Sequence, residues 1–317
     1  MLISGVILLL IFAFTTDLRE MWHTFLSANY LVLVPGIVAY FIGVWFRTLR
    51  WQVLLSGIKI INVGTLFPIV VIGYMANNIL PFRLGELVRG YYLKNKEEVS
   101  TATALSTIFI ERIMDGLALI AILIGSSVFV PFDEIFSRLA DITKINGSIL
   151  VALFTLPFAI VFLLLTAIAV NTQKALAIFN KLTSRLPNSL ASKVDQFTED
   201  LISGLNSLTS WKITCRALIL SLPIWILEAV LFHSVLISLN IIPNGTSVFH
   251  VFASAASITA ITNIGASIPS LPGGIGLFEL LARESLIVIE TVRVLSLIHI
   301  SEPTRPRLIS YAVFCLK

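Results

Sequence analysis

Apolar runs of helix length recur down the chain, separated by short polar connections. Residues 2–14 (LISGVILLLIFAF) form a short first run. It has no basic lead-in and no small-residue cleavage site behind it, so it reads as a membrane span and not as a cleaved signal. Residues 29–46 form a second span, closed by Arg47, Arg50 and Trp51 at the membrane interface. Residues 64–80, bounded by Gly64 and Pro81, are brief enough that a re-entrant hairpin competes with a full crossing. Ser100 is placed as the N-cap of a long span running to Val130. A polar link with Asp133, Glu134, Arg138, Asp141 and Lys144 leads to a further segment at 148–170, and segments 214–240, 247–268 and 275–292 follow. The pattern predicts about seven to eight membrane segments, some of them re-entrant.

Residues 171–213 are the largest hydrophilic piece. Within it Val194, Phe197, Leu201, Leu205 and Leu208 keep helical spacing, while Lys193, Asp195, Glu199 and Asp200 fall mostly off that stripe. This is an amphipathic helix, either lying on the membrane surface or packed against neighbouring segments.

Composition then fixes the class. With 57% hydrophobic and 13% charged residues, the chain has too little polar surface to cover a soluble globule. The runs have helix length, not the short alternation of a membrane barrel, so the fold class is all-α: a polytopic helix bundle forming one transmembrane domain over residues 1–294. Nothing points to nucleic acid. Cys215 and Cys315 propose no disulfide framework, and no Cys/His spacing proposes a metal or another cofactor. If residues 64–80 turn back, 13 Lys and Arg collect on one side against three on the other; if they cross, the split is 11 against five. The positive-inside rule therefore favours the re-entrant version, with an inside N-terminus and a cytosolic 171–213 segment.

From about Leu295 the string LSLIHISEPTRPRLISYAVFCLK abandons the apolar helical pattern. It resembles the translation of a sequencing-adapter read-through, and residues 295–317 are set aside as a non-native tail.

Two stretches look alike. Leu80-Pro81 with Leu84-Gly85-Glu86, and Leu271-Pro272 with Ile275-Gly276 and Glu279, each follow a small-residue-rich apolar segment containing asparagine. Paired Gly/Pro-interrupted segments are the pointer to an inverted-repeat transporter whose site lies at the breaks. Pro81, Gly85, Pro272, Gly273, Gly274, Gly276 and Glu279 are the candidate break residues.

The stretch from Asn77 to Asp115 spends polar residues that the rest of the chain avoids. A helix beginning after Pro81 would present N-terminal amides beside Arg83 and Arg89, a combination suited to phosphate, with Asn77, Asn78 and Glu86 alongside and Tyr91 and Tyr92 at headgroup level. Ordinary snorkelling arginines on a solvated face are the plainer alternative. Glu111 lies about 16 Å along the helix from Ser100, so Glu111, Arg112 and Asp115 fall near mid-membrane, where a lone charge costs at least about 2.5 kcal/mol. They must face the bundle interior. Spacing pairs Arg112 with Asp115, and Glu228 is a further buried carboxylate, a partner for Arg112 or Arg83. An intramembrane polar path and a purely structural ion-pair lock both account for this set. His233 reads as a core histidine.

NNILPFRLGELVRGYYL, then ERIMDGLAL, WILEAVLF and SIPSLPGGIGLFE, in this order, resemble the lysylphosphatidylglycerol synthase transmembrane-region family of flippase-like proteins. The resemblance implies a multi-pass cytoplasmic-membrane protein of cell-envelope lipid metabolism. In larger relatives this unit is thought to move a modified lipid between leaflets while a soluble domain makes it; others are associated with polyprenyl-phosphate sugars through a glycosyltransferase. The expected activity is translocation or binding of an anionic or phosphate-linked lipid. A membrane-embedded transferase using carboxylates as general bases, and a non-transporting partner of a separate synthase or glycosyltransferase, are the rival classes.

Overall fold

A computed structural model describes residues 26–79, 84–130, 132–183, 188–239, 247–267 and 277–296. The first apolar run, Arg83, the Pro81 break, the Pro272–Gly276 break and residues 297–317 lie outside the described residues, as do the side chains of Asn78 and Glu279.

The described residues form eleven α-helices and no strand: α1 Tyr30–Leu55, α2 Val63–Ile79, α3 Gly85–Glu97, α4 Thr101–Ser126, α5 Phe132–Thr143, α6 Gly147–Val170, α7 Thr172–Thr183, α8 Asn188–Gly204, α9 Trp211–Ser238, α10 Val248–Ser267 and α11 Leu277–Ser296. The protein is all-α. Helices α1, α6, α9 and α10 are long and apolar enough to cross a membrane. Helix α4 equals α1 in length, and carries the charges discussed below. Polar caps set several starts: Ser100 Oγ accepts the Thr103 amide at 3.1 Å, and Asn146 Oδ1 accepts that of Ser148 at 2.9 Å.

The central pair is α1 and α9, packed antiparallel along their whole length. The Asn29 amide donates to the Ser238 carbonyl at 3.0 Å at one end, and Gly57 meets the Ser207 backbone at the other. Close approach depends on small residues, because a Cβ on Gly36 would stand 2.9 Å from that of Ser234.

Helices α2 and α3 form a hairpin. A Cβ on Gly85 would collide with the Gly73 carbonyl oxygen, and the Gly85 amide donates to Asn77 Oδ1 at 2.8 Å. Lys59, just before α2, donates to the Glu97 carbonyl at 2.7 Å, so the hairpin leaves from the end of the bundle where it entered. At 17 residues α2 is about 25 Å long, short of the roughly 30 Å hydrocarbon layer. Helices α10 and α11 pack likewise, with Gly265 against Leu281 as Gly73 lies against Arg89, sixteen positions apart in both.

Three local expectations are corrected. The segment around Asp133 is not a polar link but helix α5, which buries Ile135, Phe136 and Leu139 and pairs Arg138 with Glu284 of α11. The amphipathic stripe is divided: Leu205 and Leu208 are buried against the bundle, whereas Val194 and Phe197 are exposed. Thr103 and Ser106 of α4 fix the buried end, donating to the Asp200 and Leu201 carbonyls at 2.9 and 2.6 Å. Arg50 and Trp51 are not interfacial. Both are fully buried inside α1, which continues to Leu55.

Candidate functional site: a buried arginine and carboxylate array

The N-cap at Ser100 starts α4 so that Glu111 and Asp115, one turn apart, face α1, α3 and α9 together. Arg50 of α1 sits between them. Its Nη1 and Nη2 reach Asp115 Oδ1 and Oδ2 at 2.5 and 3.3 Å, and its Nε lies 3.7 Å from Glu111 Oε1. Ser221 Oγ accepts from Arg50 Nη1 at 2.9 Å, and Trp225 Nε1 donates to Asp115 Oδ1 at 2.9 Å. Such fork-to-fork pairing is what makes two buried charges tolerable in low dielectric.

Arg89 enters from α3. Its Nη1 is 2.9 Å from Glu111 Oε2, an ion pair without directed hydrogen-bond geometry, and its guanidinium lies 4.1 Å from the centre of the Trp51 ring. The Trp51 indole is anchored in turn to Thr107 Oγ1 at 3.1 Å.

The other half of the array is more open. Arg112 Nη2 reaches Asp115 Oδ2 at 3.3 Å, yet the Arg112 side chain keeps 32% of its surface accessible. Arg47 Nη2 pairs with Glu228 Oε2 at 2.9 Å, with 12% and 19% of the two side chains accessible, against 0% for Arg50 and 2% for Glu111. Arg47 also lies over the rings of Tyr74 and Trp225, at 5.3 and 5.5 Å. Four arginines thus meet three carboxylates, with Glu86 half-buried at the start of α3. Among the described residues, several cationic donors make no hydrogen bond: Arg50 Nε, Arg89 Nε and Nη2, and Arg112 Nε. Unbonded N–H groups on buried cations are costly, and anionic oxygen is the partner such donors take.

Residues 1–287 match the family model for the lysylphosphatidylglycerol synthase TM region. The chain belongs to this family. It is 26% identical over 205 residues to the UPF0104 membrane protein MJ1078 of Methanocaldococcus jannaschii, covering 64% of this chain and 75% of that one. It is 21% identical over 299 residues to glycosyltransferase AglD of Haloferax volcanii, covering 88% of this chain and 47% of that protein, so it spans about half of this relative. No solved structure matches.

For this member of the family, the structure brings together Glu111, Arg112 and Asp115, and it adds Arg89, which the sequence reading had set apart with Arg83 at a cytosolic phosphate site. It also redistributes them. Arg50, not Arg112, is the arginine held between Glu111 and Asp115, and Glu228 pairs with Arg47 and not with Arg112, while Arg83 lies outside the described residues. Asn77 binds the Gly85 amide, a hairpin contact, and Tyr91 and Tyr92 are exposed on α3. Sequence reasoning missed Arg47 and Arg50 as members of the array. The available signal was the apolar continuation through Trp51, Val53, Leu54 and Leu55, which carries α1 past both arginines.

Proposed function

We propose that the protein binds an anionic or phosphate-linked membrane lipid and passes its headgroup through the polar interior, as a flippase-like unit of a lipid pathway. The observation that carries this reading is the unequal closure of the array. Arg50 and Asp115 are sealed and serve as the lock, whereas Arg112, Arg47 and Glu228 keep accessible surface next to unbonded cationic donors. A lock needs no open side. A path for a headgroup needs one, and intramembrane ionisable groups with accessible surface mark such paths. Arg112 would grip the phosphate, Arg47 and Glu228 would line its route, and Arg89 would hold Glu111 in place. Arg83, Asn78 and Glu86 remain candidates for contact with the same phosphate.

The α2–α3 hairpin, too short for a full crossing, supports a re-entrant element beside this path, and α10–α11 repeats its sixteen-residue glycine spacing although α10 is long enough to cross. A partner reading draws on the relatives: one is named a glycosyltransferase, and this chain covers less than half of it. In that reading a separate glycosyltransferase makes the lipid that this protein handles. The deciding experiment is leaflet exchange of a fluorescent anionic phospholipid in proteoliposomes, with and without Arg112.

A further inference from the structure

A second polar feature lies on the outer wall of the bundle, separate from the array. A cavity of about 270 Å³ opens between the C-terminal end of α1 and the first turns of α9, lined by Gln52, Val53, Ser56, Ile60, Lys212, Ile213 and Arg216. Its two cations stand one turn apart on one face of α9, and neither pairs with a carboxylate among the described residues. The placement is unfavourable for the helix. Like charges at this spacing repel, and cations near a helix N-terminus oppose the macrodipole. The surroundings are apolar and exposed: Ile60 at 87%, Trp211 at 78% and Ile219 at 66%. In a membrane protein this combination describes the headgroup layer, with a tryptophan at the boundary and hydrocarbon-facing isoleucines beside it.

We infer that this cavity is a binding site for the phosphate of an anionic phospholipid from the leaflet nearest residues 200–213, the headgroup held by Lys212 and Arg216 and an acyl chain lying along Ile60, Ile213 and Ile219. The ligand is a resident of the membrane and not a soluble anion, because two of the cavity's seven lining residues are isoleucines that continue into exposed apolar surface. Gln52 and Val53 belong to the helix that carries Arg47 and Arg50, with Ser56 as its C-cap, so occupancy braces α1 against α9 at the end next to the array. The site stands whether or not the array moves lipid.

The test uses the full chain in nanodiscs and reads quenching of Trp211 by brominated phospholipid, taken as the difference between the protein and Trp211→Phe. Two surface cations predict a roughly tenfold or greater preference for brominated phosphatidylglycerol over brominated phosphatidylcholine at equal mole fraction. Lys212→Gln/Arg216→Gln should remove the preference while the protein stays folded, with an unchanged melting temperature in lipid-free detergent. Equal quenching by both lipids in the unaltered protein, or a preference that survives the double substitution, overturns the inference. Relief of quenching by millimolar inorganic phosphate would also overturn it, assigning the site to a soluble anion.

Discussion

Arg50 and Asp115, 65 residues apart in the chain, meet fork to fork at 2.5 and 3.3 Å with no accessible surface left on the arginine. The pair ties α1 to α4 at the depth where α9 adds Ser221 and Trp225. Removing one partner strands the other in low dielectric, at a usual cost of about 3 to 5 kcal/mol. Arg50→Met is therefore expected to lower yield and the detergent-solution melting temperature sharply. Adding Asp115→Leu should recover part of the loss, since an apolar pair of similar volume replaces an ion pair at little cost. A double variant less stable than the single one would contradict the lock.

The α2–α3 hairpin depends on backbone contact at Gly85. A Cβ there meets the Gly73 carbonyl oxygen, which cannot swing aside as a side chain could. Gly85→Ala should cost about 1 to 3 kcal/mol and tilt Arg89 away from Glu111. Thermal melting checks the first effect. An unchanged melting temperature would mean that α2 and α3 separate freely.

Topology gives a third test. Lys59 meets Glu97, Gly57 meets Ser207 and Thr103 meets Asp200, so residues 57–59, 97–103 and 200–207 share one end of the bundle. Arg138, through Glu284, marks the other end. Single cysteines at 59, 97 and 192 should resist an impermeant thiol reagent in intact cells, while one at 138 should react. Opposite labelling of 59 and 97 would show that α2 crosses the membrane.

Much of this was legible in the sequence, and the exceptions share a cause. Apolar run length gave the all-α class and the long apolar helices α1, α6, α9 and α10, and Ser100 fixed a helix start through local side-chain chemistry. Charges within one helix paired as spacing says, as Arg112 does with Asp115. Charges on different helices did not announce their partners. Arg50 finds Asp115 only because α1 lies across α4, and Arg47 finds Glu228 only because α1 and α9 run antiparallel. Spacing along one helix holds no information about that crossing. Helix α5 was missed because its five charged neighbours, Asp133 through Lys144, outweighed a short buried stripe of Ile135, Phe136 and Leu139.

The central claim is that the open side of the array handles a lipid phosphate while the sealed side holds the bundle together. Arg112→Gln removes one cation whose side chain is one-third accessible and leaves Asp115 paired with Arg50. The most direct measurement is the rate at which a head-labelled fluorescent phosphatidylglycerol in proteoliposomes becomes accessible to a membrane-impermeant quencher. The account predicts exchange in the unaltered protein, at least about tenfold slower exchange in Arg112→Gln because a charged contact is worth roughly 1.5 to 3 kcal/mol, and a melting temperature that stays close to that of the parent. Exchange at the parental rate in a folded Arg112→Gln protein would contradict it and leave the array as a structural lock alone.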